Sequence, residues 1–164
     1  MQEFPIRRTN RLKNYDYNQI GGYFISICSK DKQKIFGSVV GDGVLDVPTC
    51  ELSEIGKIVN ICIDNIKNLY TDVCIEKYVI MPNHIHMIIQ VTNSNGSSRT
   101  PTPTNASIPR LISTFKRYTN KECGVSLWQR SYYDHIIRNE EDHVRIWEYI
   151  DNNPARWTED RYYQ

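Results

Sequence analysis

The segment Tyr78-Val-Ile-Met-Pro-Asn-His-Ile-His-Met-Ile-Ile-Gln90 carries two histidines, two residues apart, inside an otherwise apolar run. In an extended chain successive side chains point to opposite faces. His84, His86, Ile88 and Gln90 therefore share one face, and Ile85, Met87, Ile89 and Val91 the other. Such a strand needs a hydrophobic layer against its apolar face and leaves the histidine face for a site. Pro82-Asn83 is a turn signal, so Cys74 to Ile80 is expected as a second strand leading into it. Two neighbouring imidazoles on a rigid backbone can hold one divalent ion, since neutral imidazole is the commonest side-chain metal ligand. They can equally be a hydrogen-bonded core pair, and the spacing leaves both readings open.

The remaining elements follow from local patterning. Gly22 to Ser29 is rich in aromatic and β-branched residues and reads as a buried strand. Gly41-Asp-Gly43 between Ile35–Val40 and Val44–Val47 predicts a small inserted hairpin. Leu52, Ile55, Val59, Cys62, Ile66 and Leu69 recur at spacings of three and four, which predicts an amphipathic helix. Ile108, Leu111, Ile112 and Phe115 predict a second helix, with Pro109 tolerable in its first turn. Tyr132 to Ile137 reads as a further strand. Glu140 to about Asn152 reads as a third helix, with Asn139 as its cap and acidic residues where the helix dipole favours them. Without the hairpin the order is βαββαβ plus one helix, the split βαβ order of an α+β ferredoxin-like fold with an antiparallel sheet. Two helices would cover one face of that sheet. The extra C-terminal helix is then the element left to cover the histidines.

The 164 residues are expected to form one domain, with a basic arm over 1–17 and a polar, proline-broken mobile loop over 93–105. A formal charge of +1 gives no global signature of a nucleic-acid binder, so that role would have to rest on local patches. Candidates are Arg7, Arg8, Arg11 and Lys13 in the arm, Lys116 and Arg117 near the end of the second helix, and Arg130; charged residues in such places are often only solvated. Five cysteines without a C-x-x-C pair read as free thiols. With no apolar run of membrane-spanning length, this fits a cytoplasmic protein without a membrane partner.

Several separated motifs occur in a telling order: Met81-Pro-Asn-His-Ile-His86, Trp128-Gln-Arg130, Asp134-His-Ile-Ile-Arg138 and Tyr149-Ile-Asp-Asn-Asn-Pro154. Together they resemble the REP-associated tyrosine transposases, within the wider HUH single-tyrosine nucleases. The resemblance implies that Tyr149 is the nucleophile, that His84 and His86 bind a divalent metal ion (magnesium or manganese), and that Asn153 is a third polar ligand. It also implies single-stranded or hairpin DNA as partner and a transesterification through a covalent 5′-phosphotyrosine. A homodimer is compatible with it.

The residues themselves support this in part. Ile146, Tyr149, Ile150 and Asn153 follow i, i+3, i+4, i+7 spacing and share a helix face, although an inward aromatic is ordinarily core. Asn153 precedes Pro154, which biases it away from helical angles. His135 is expected to be structural or DNA-facing and His143 an exposed helix residue. Tyr132 and Tyr133 lie in a strand outside the matched motif, and Tyr162 and Tyr163 in a tail expected to be mobile. Two other readings stay open: a catalytically inactive hairpin DNA or RNA binder, and a metal hydrolase that activates water.

Overall fold

A computed structural model describes residues 15–41, 47–70, 72–92 and 107–163. Arg7, Arg8, Arg11 and Lys13 of the expected arm, and the expected loop 93–105, lie outside the described residues. The last residues of the arm are anchored: Tyr17 is buried and donates its hydroxyl to Asp134 Oδ2 at 2.7 Å.

The elements are β1 (Gly21–Cys28), β2 (Gly37–Val40), β3 (Thr49–Leu52), α1 (Glu54–Lys67), β4 (Val73–Met81), β5 (His84–Val91), α2 (Ser107–Cys123), β6 (Tyr133–Ile137) and α3 (Glu140–Asn152). Four strands form one sheet in the order β4-β5-β1-β6, with every neighbouring pair antiparallel. This is the expected ferredoxin-like arrangement, with β1 separating β6 from the histidine strand. The alternation in β5 sorts its side chains as the sequence requires. Ile85, Met87, Ile89 and Val91 join Tyr23, Ile25 and Ile27 of β1 in a core closed by α1 and α2 through residues such as Ile63, Ile66, Ile112 and Phe115. Each fully buried isoleucine there contributes roughly 1.5–3 kcal/mol of transfer free energy. On the opposite face a smaller cluster of Phe24, Ile88, Ile146 and Ile150 seats α3 on the sheet. Asn139 caps α3 by accepting from Asp142 N at 2.8 Å.

Two expectations shift. The hairpin is present with β3 at Thr49–Leu52 as its second strand; of the expected strand 44–47 only Val47 lies within the described residues. Val47 is 83% exposed and lies outside any strand, whereas Thr49 to Leu52 alternate exposed and half-buried and pair with β2 from Gly37↔Leu52 to Val40↔Thr49. Leu52 therefore belongs to β3, not to the helix face. The helix begins after Ser53, whose hydroxyl accepts from Gly56 N and donates to Ile35 O. Gly56 admits no side chain, because a Cβ there would stand 2.0 Å from Phe36 O.

Candidate active site

The antiparallel register sets Ser26 opposite His86 and Cys28 opposite His84. Both histidines are fully buried, and their Nε2 atoms converge to 3.0 Å. The partners of Asn83 fix the protonation of His84. The Asn83 amide nitrogen donates to two carbonyls, Tyr162 O at 2.8 Å and Lys32 O at 3.2 Å, which turns its oxygen toward His84 Nδ1 at 2.9 Å. An amide oxygen only accepts, so Nδ1 carries the proton and Nε2 keeps its lone pair. Nδ1 of His86 lies 2.7 Å from the Ser26 hydroxyl, which can donate or accept. Burial pushes both imidazoles below their ordinary range; Asp160 partly opposes this at His84, and each ring is held neutral, the form that ligates metals.

α3 brings Tyr149 and Asn153 to the same place. The Tyr149 hydroxyl lies 3.3 Å from His86 Nε2 and donates to Asp160 Oδ2 at 3.2 Å. Burial, and then the Asp160 carboxylate, raise its pKa above the ordinary phenol range. Asn153 keeps right-handed helical angles despite the following proline, as the C-cap of α3. It is buried, its amide nitrogen donates to Asp160 Oδ2 at 2.7 Å, and its oxygen has no hydrogen-bond partner among the described residues. A buried acceptor left so costs about 1–3 kcal/mol.

Asp160 carries no signal in the sequence, since it lies in no periodic element and no motif. The structure places its carboxylate, 1% exposed, 4.0 Å from His84 Nε2, and the candidate ligand atoms of His84, His86 and Asp160 all lie within 4.8 Å of one another. Two neutral imidazoles, a carboxylate and an orphaned amide oxygen form a donor set that fits a divalent cation.

The tail expected to be mobile is instead folded over this group. A 3-10 turn at Trp157–Glu159 buries Trp157, whose ring lies 5.9 Å from that of His84. Tyr162 packs on His84 and His86 at ring separations of 4.5 and 5.6 Å, and its backbone nitrogen donates to Asp160 Oδ1 at 2.7 Å. The reason is local: two aromatic rings cover the imidazoles while Asn83 and Asp160 take the polar backbone.

The other flagged residues stand apart. His135 bonds Asp142 Oδ2 at 2.8 Å, and His143 bonds Glu76 at 2.9 Å. Lys116 directs its ammonium to the carbonyls of Gln129, Arg130 and Ser131, tying α2 to the segment before β6. Arg117 is exposed on α2, which packs on the sheet face away from the histidines, and Arg130 is exposed in the connection that follows. Tyr133 is exposed at the rim, 6.4 Å from Phe24 between rings. Among the described residues no helix is long and apolar enough to cross a membrane.

The family model described as "Transposase IS200 like" matches residues 53–153, a span that includes both histidines, Tyr149 and Asn153. An uncharacterised protein of Haemophilus influenzae is 35% identical over a 173-position alignment covering 96% of this chain and 93% of its own. A second Haemophilus influenzae protein, described as "Putative REP-associated tyrosine transposase", is 26% identical over 82 residues, 47% of each chain. Among solved structures, a REP-associated tyrosine transposase bound to a REP hairpin superposes with a TM-score of 0.62 at 18% identity, covering 96% of this chain and 74% of that one, a likeness of fold. With more than half its length matched by the family model, the chain belongs to the IS200-like transposase family.

Proposed function

We propose that the protein is a metal-dependent single-stranded DNA endonuclease and strand transferase that acts beside DNA hairpins. The observation that carries this is the Tyr149 hydroxyl lying 3.3 Å from His86 Nε2, at the point where two neutral imidazoles, Asp160 and the unpartnered oxygen of Asn153 converge. Family membership and the hairpin named for the solved structural neighbour support the substrate class. The bare Tyr149 hydroxyl is a poor nucleophile, since burial and Asp160 keep it protonated. His84, His86, Asp160 and Asn153 would hold magnesium or manganese, which when bound supplies a Lewis acid for the phosphate and for the developing charge.

The protein's own groups do the rest. α3 holds Tyr149 beside the phosphodiester. Its oxygen forms the new O–P bond, the P–O3′ bond breaks, and the proton lost by Tyr149 ends on the released 3′ hydroxyl. The 5′ phosphate stays on Tyr149 until a 3′ hydroxyl attacks it, so the strand is rejoined without an external energy source. Arg7, Arg8, Arg11 and Lys13 hold backbone phosphates, with Arg117 and Arg130 as further contacts and Lys116 shaping the segment that carries Arg130. The chain works as one domain, and its free cysteines suit a cytoplasmic setting.

The test is a denaturing gel of the protein incubated with hairpin-bearing single strands and magnesium or manganese. Wild type should give a covalent adduct and Tyr149→Phe none, while Tyr132→Phe, Tyr133→Phe and Tyr163→Phe retain it. Free cut ends without an adduct would indicate water as nucleophile, and binding without cutting would indicate an inactive binder. An adduct mapped to a peptide lacking Tyr149 would refute this assignment.

A further inference from the structure

Arg161 lies beside the site in the folded tail and has no part in the chemistry described above. Its guanidinium carbon stands 4.7 Å from the ring centres of both Tyr133 and Tyr162, and its Nη2 donates to the Tyr162 hydroxyl at 2.5 Å. Those rings connect it to the reacting group. Tyr162 packs on both histidines, and Tyr133 meets Phe24, which lies 5.1 Å from His86 and 6.0 Å from Tyr149. Its positive charge acts on Tyr149 and on both histidines.

Two cations on or against α3 have carboxylate partners, Arg145 with Asp142 and Lys77 with Asp151 at 2.6 Å, and Lys34 lies over the outer rings of the tail, 4.8 Å from that of Tyr163. Among the described residues no carboxylate pairs with Arg161, although Asp160 precedes it, because that carboxylate turns inward to Asn153 and Tyr149. The histidines are fully buried, whereas Tyr149 and Tyr133 are each 39% exposed, so the accessible side of the site carries a phenol, an unpaired guanidinium and an open aromatic face. A guanidinium within 4.7 Å of two ring centres and bonded to a hydroxyl is already ordered, and its remaining N–H donors match the geometry of phosphate oxygens. An exposed tyrosine beside it is a platform for a base.

We propose that Arg161 binds a non-bridging oxygen of the phosphodiester presented to Tyr149, with an adjacent nucleobase stacked on Tyr133. The proposal rests on the single-strand DNA reading above and names the residues that select the phosphate. The test compares wild type, Arg161→Gln, Arg161→Lys and Tyr133→Ala on a fluorescent hairpin with a single-stranded flank. Binding is followed by anisotropy across salt concentrations, and adduct formation by gel with manganese. Arg161→Gln should lower the slope of log affinity against log salt by roughly 0.7 and slow the adduct by about 10²–10³-fold. Arg161→Lys should restore the slope but not the rate, since lysine keeps the charge and loses the planar fork. Tyr133→Ala should weaken binding by about 5- to 150-fold, the equivalent of stacking one base. An unchanged salt slope for Arg161→Gln together with an adduct rate within twofold of wild type, at an unchanged melting temperature, would overturn the proposal. If wild type forms no adduct with any hairpin strand, the nuclease reading fails, and the salt slopes alone still decide whether Arg161 contacts phosphate.

Discussion

Asp160→Asn tests the proposed metal site at the residue that no motif marks. The carboxylate accepts from the Asn153 amide at 2.7 Å and the Tyr149 hydroxyl at 3.2 Å through Oδ2, and from Tyr162 N at 2.7 Å through Oδ1. Asparagine keeps the shape and removes the charge. Its one oxygen can serve only one side of that network, so its NH2 group must face either the Tyr162 N–H or the Asn153 amide, a donor against a donor costing about 1–3 kcal/mol. Loss of a carboxylate that ligates or orients a metal typically lowers affinity 10–100-fold, about 1.4–2.7 kcal/mol. Calorimetric titration with manganese should therefore give a dissociation constant raised by at least about tenfold. Asp151→Asn is the control, since Asp151 lies on α3 but pairs with Lys77 and is half-exposed; its titration should match wild type. A manganese affinity for Asp160→Asn within twofold of wild type would refute the reasoning and return the site to histidines and Asn153 alone.

Three further outcomes are expected. In chelator the protein should lose stability as pH falls below about 6.5: His84 and His86 are depressed when folded, so the unfolded chain binds more protons there and stability falls as pH falls; melting temperatures at pH 7.5 and 5 should differ in wild type, and the difference should narrow in His86→Gln. Ile150→Ala should cost about 2–5 kcal/mol in denaturant unfolding, because Ile150 is 1% exposed and belongs to the small cluster that seats α3; a cost under about 1 kcal/mol would mean that α3 is held elsewhere. Neutralising Arg7, Arg8, Arg11 and Lys13 together should flatten the salt dependence of single-strand binding by roughly 0.7 per lost contact, and an unchanged slope would make the arm a solvated tail.

Sheet and helix placement was legible in the sequence wherever a period was long and clean. The two-residue alternation of β5 specified which of its side chains face the helices, and the three-and-four spacing specified α1, α2 and the inward face of α3. These patterns are read from consecutive residues because backbone geometry alone decides which way each side chain points. The position of β3 was not legible, because Gly41-Asp-Gly43 is only a local turn signal whereas β3 is set by its register with β2. Likewise the helical angles of Asn153 defy the preference set by the next proline, since the turn beyond it is held by Asp160 and Trp157.

The candidate site divides along the same line. His84, His86, Tyr149 and Asn153 could be named from the sequence because each lies in an element with a readable face, so spacing says that they can point to one side of a sheet. Their convergence needed the β1–β5 register and the packing of α3 on Phe24 and Ile88. Asp160, Arg161 and Tyr162 could be placed only by the tertiary structure. They follow a break in the helix at Pro154, in a segment whose path comes from long-range contacts, the Asn83 amide on Tyr162 O and the Tyr162 ring on the two imidazoles. A periodic element carries its orientation in its own backbone, while an irregular segment takes its orientation from whatever it packs against, and that partner lies some eighty residues away in the chain.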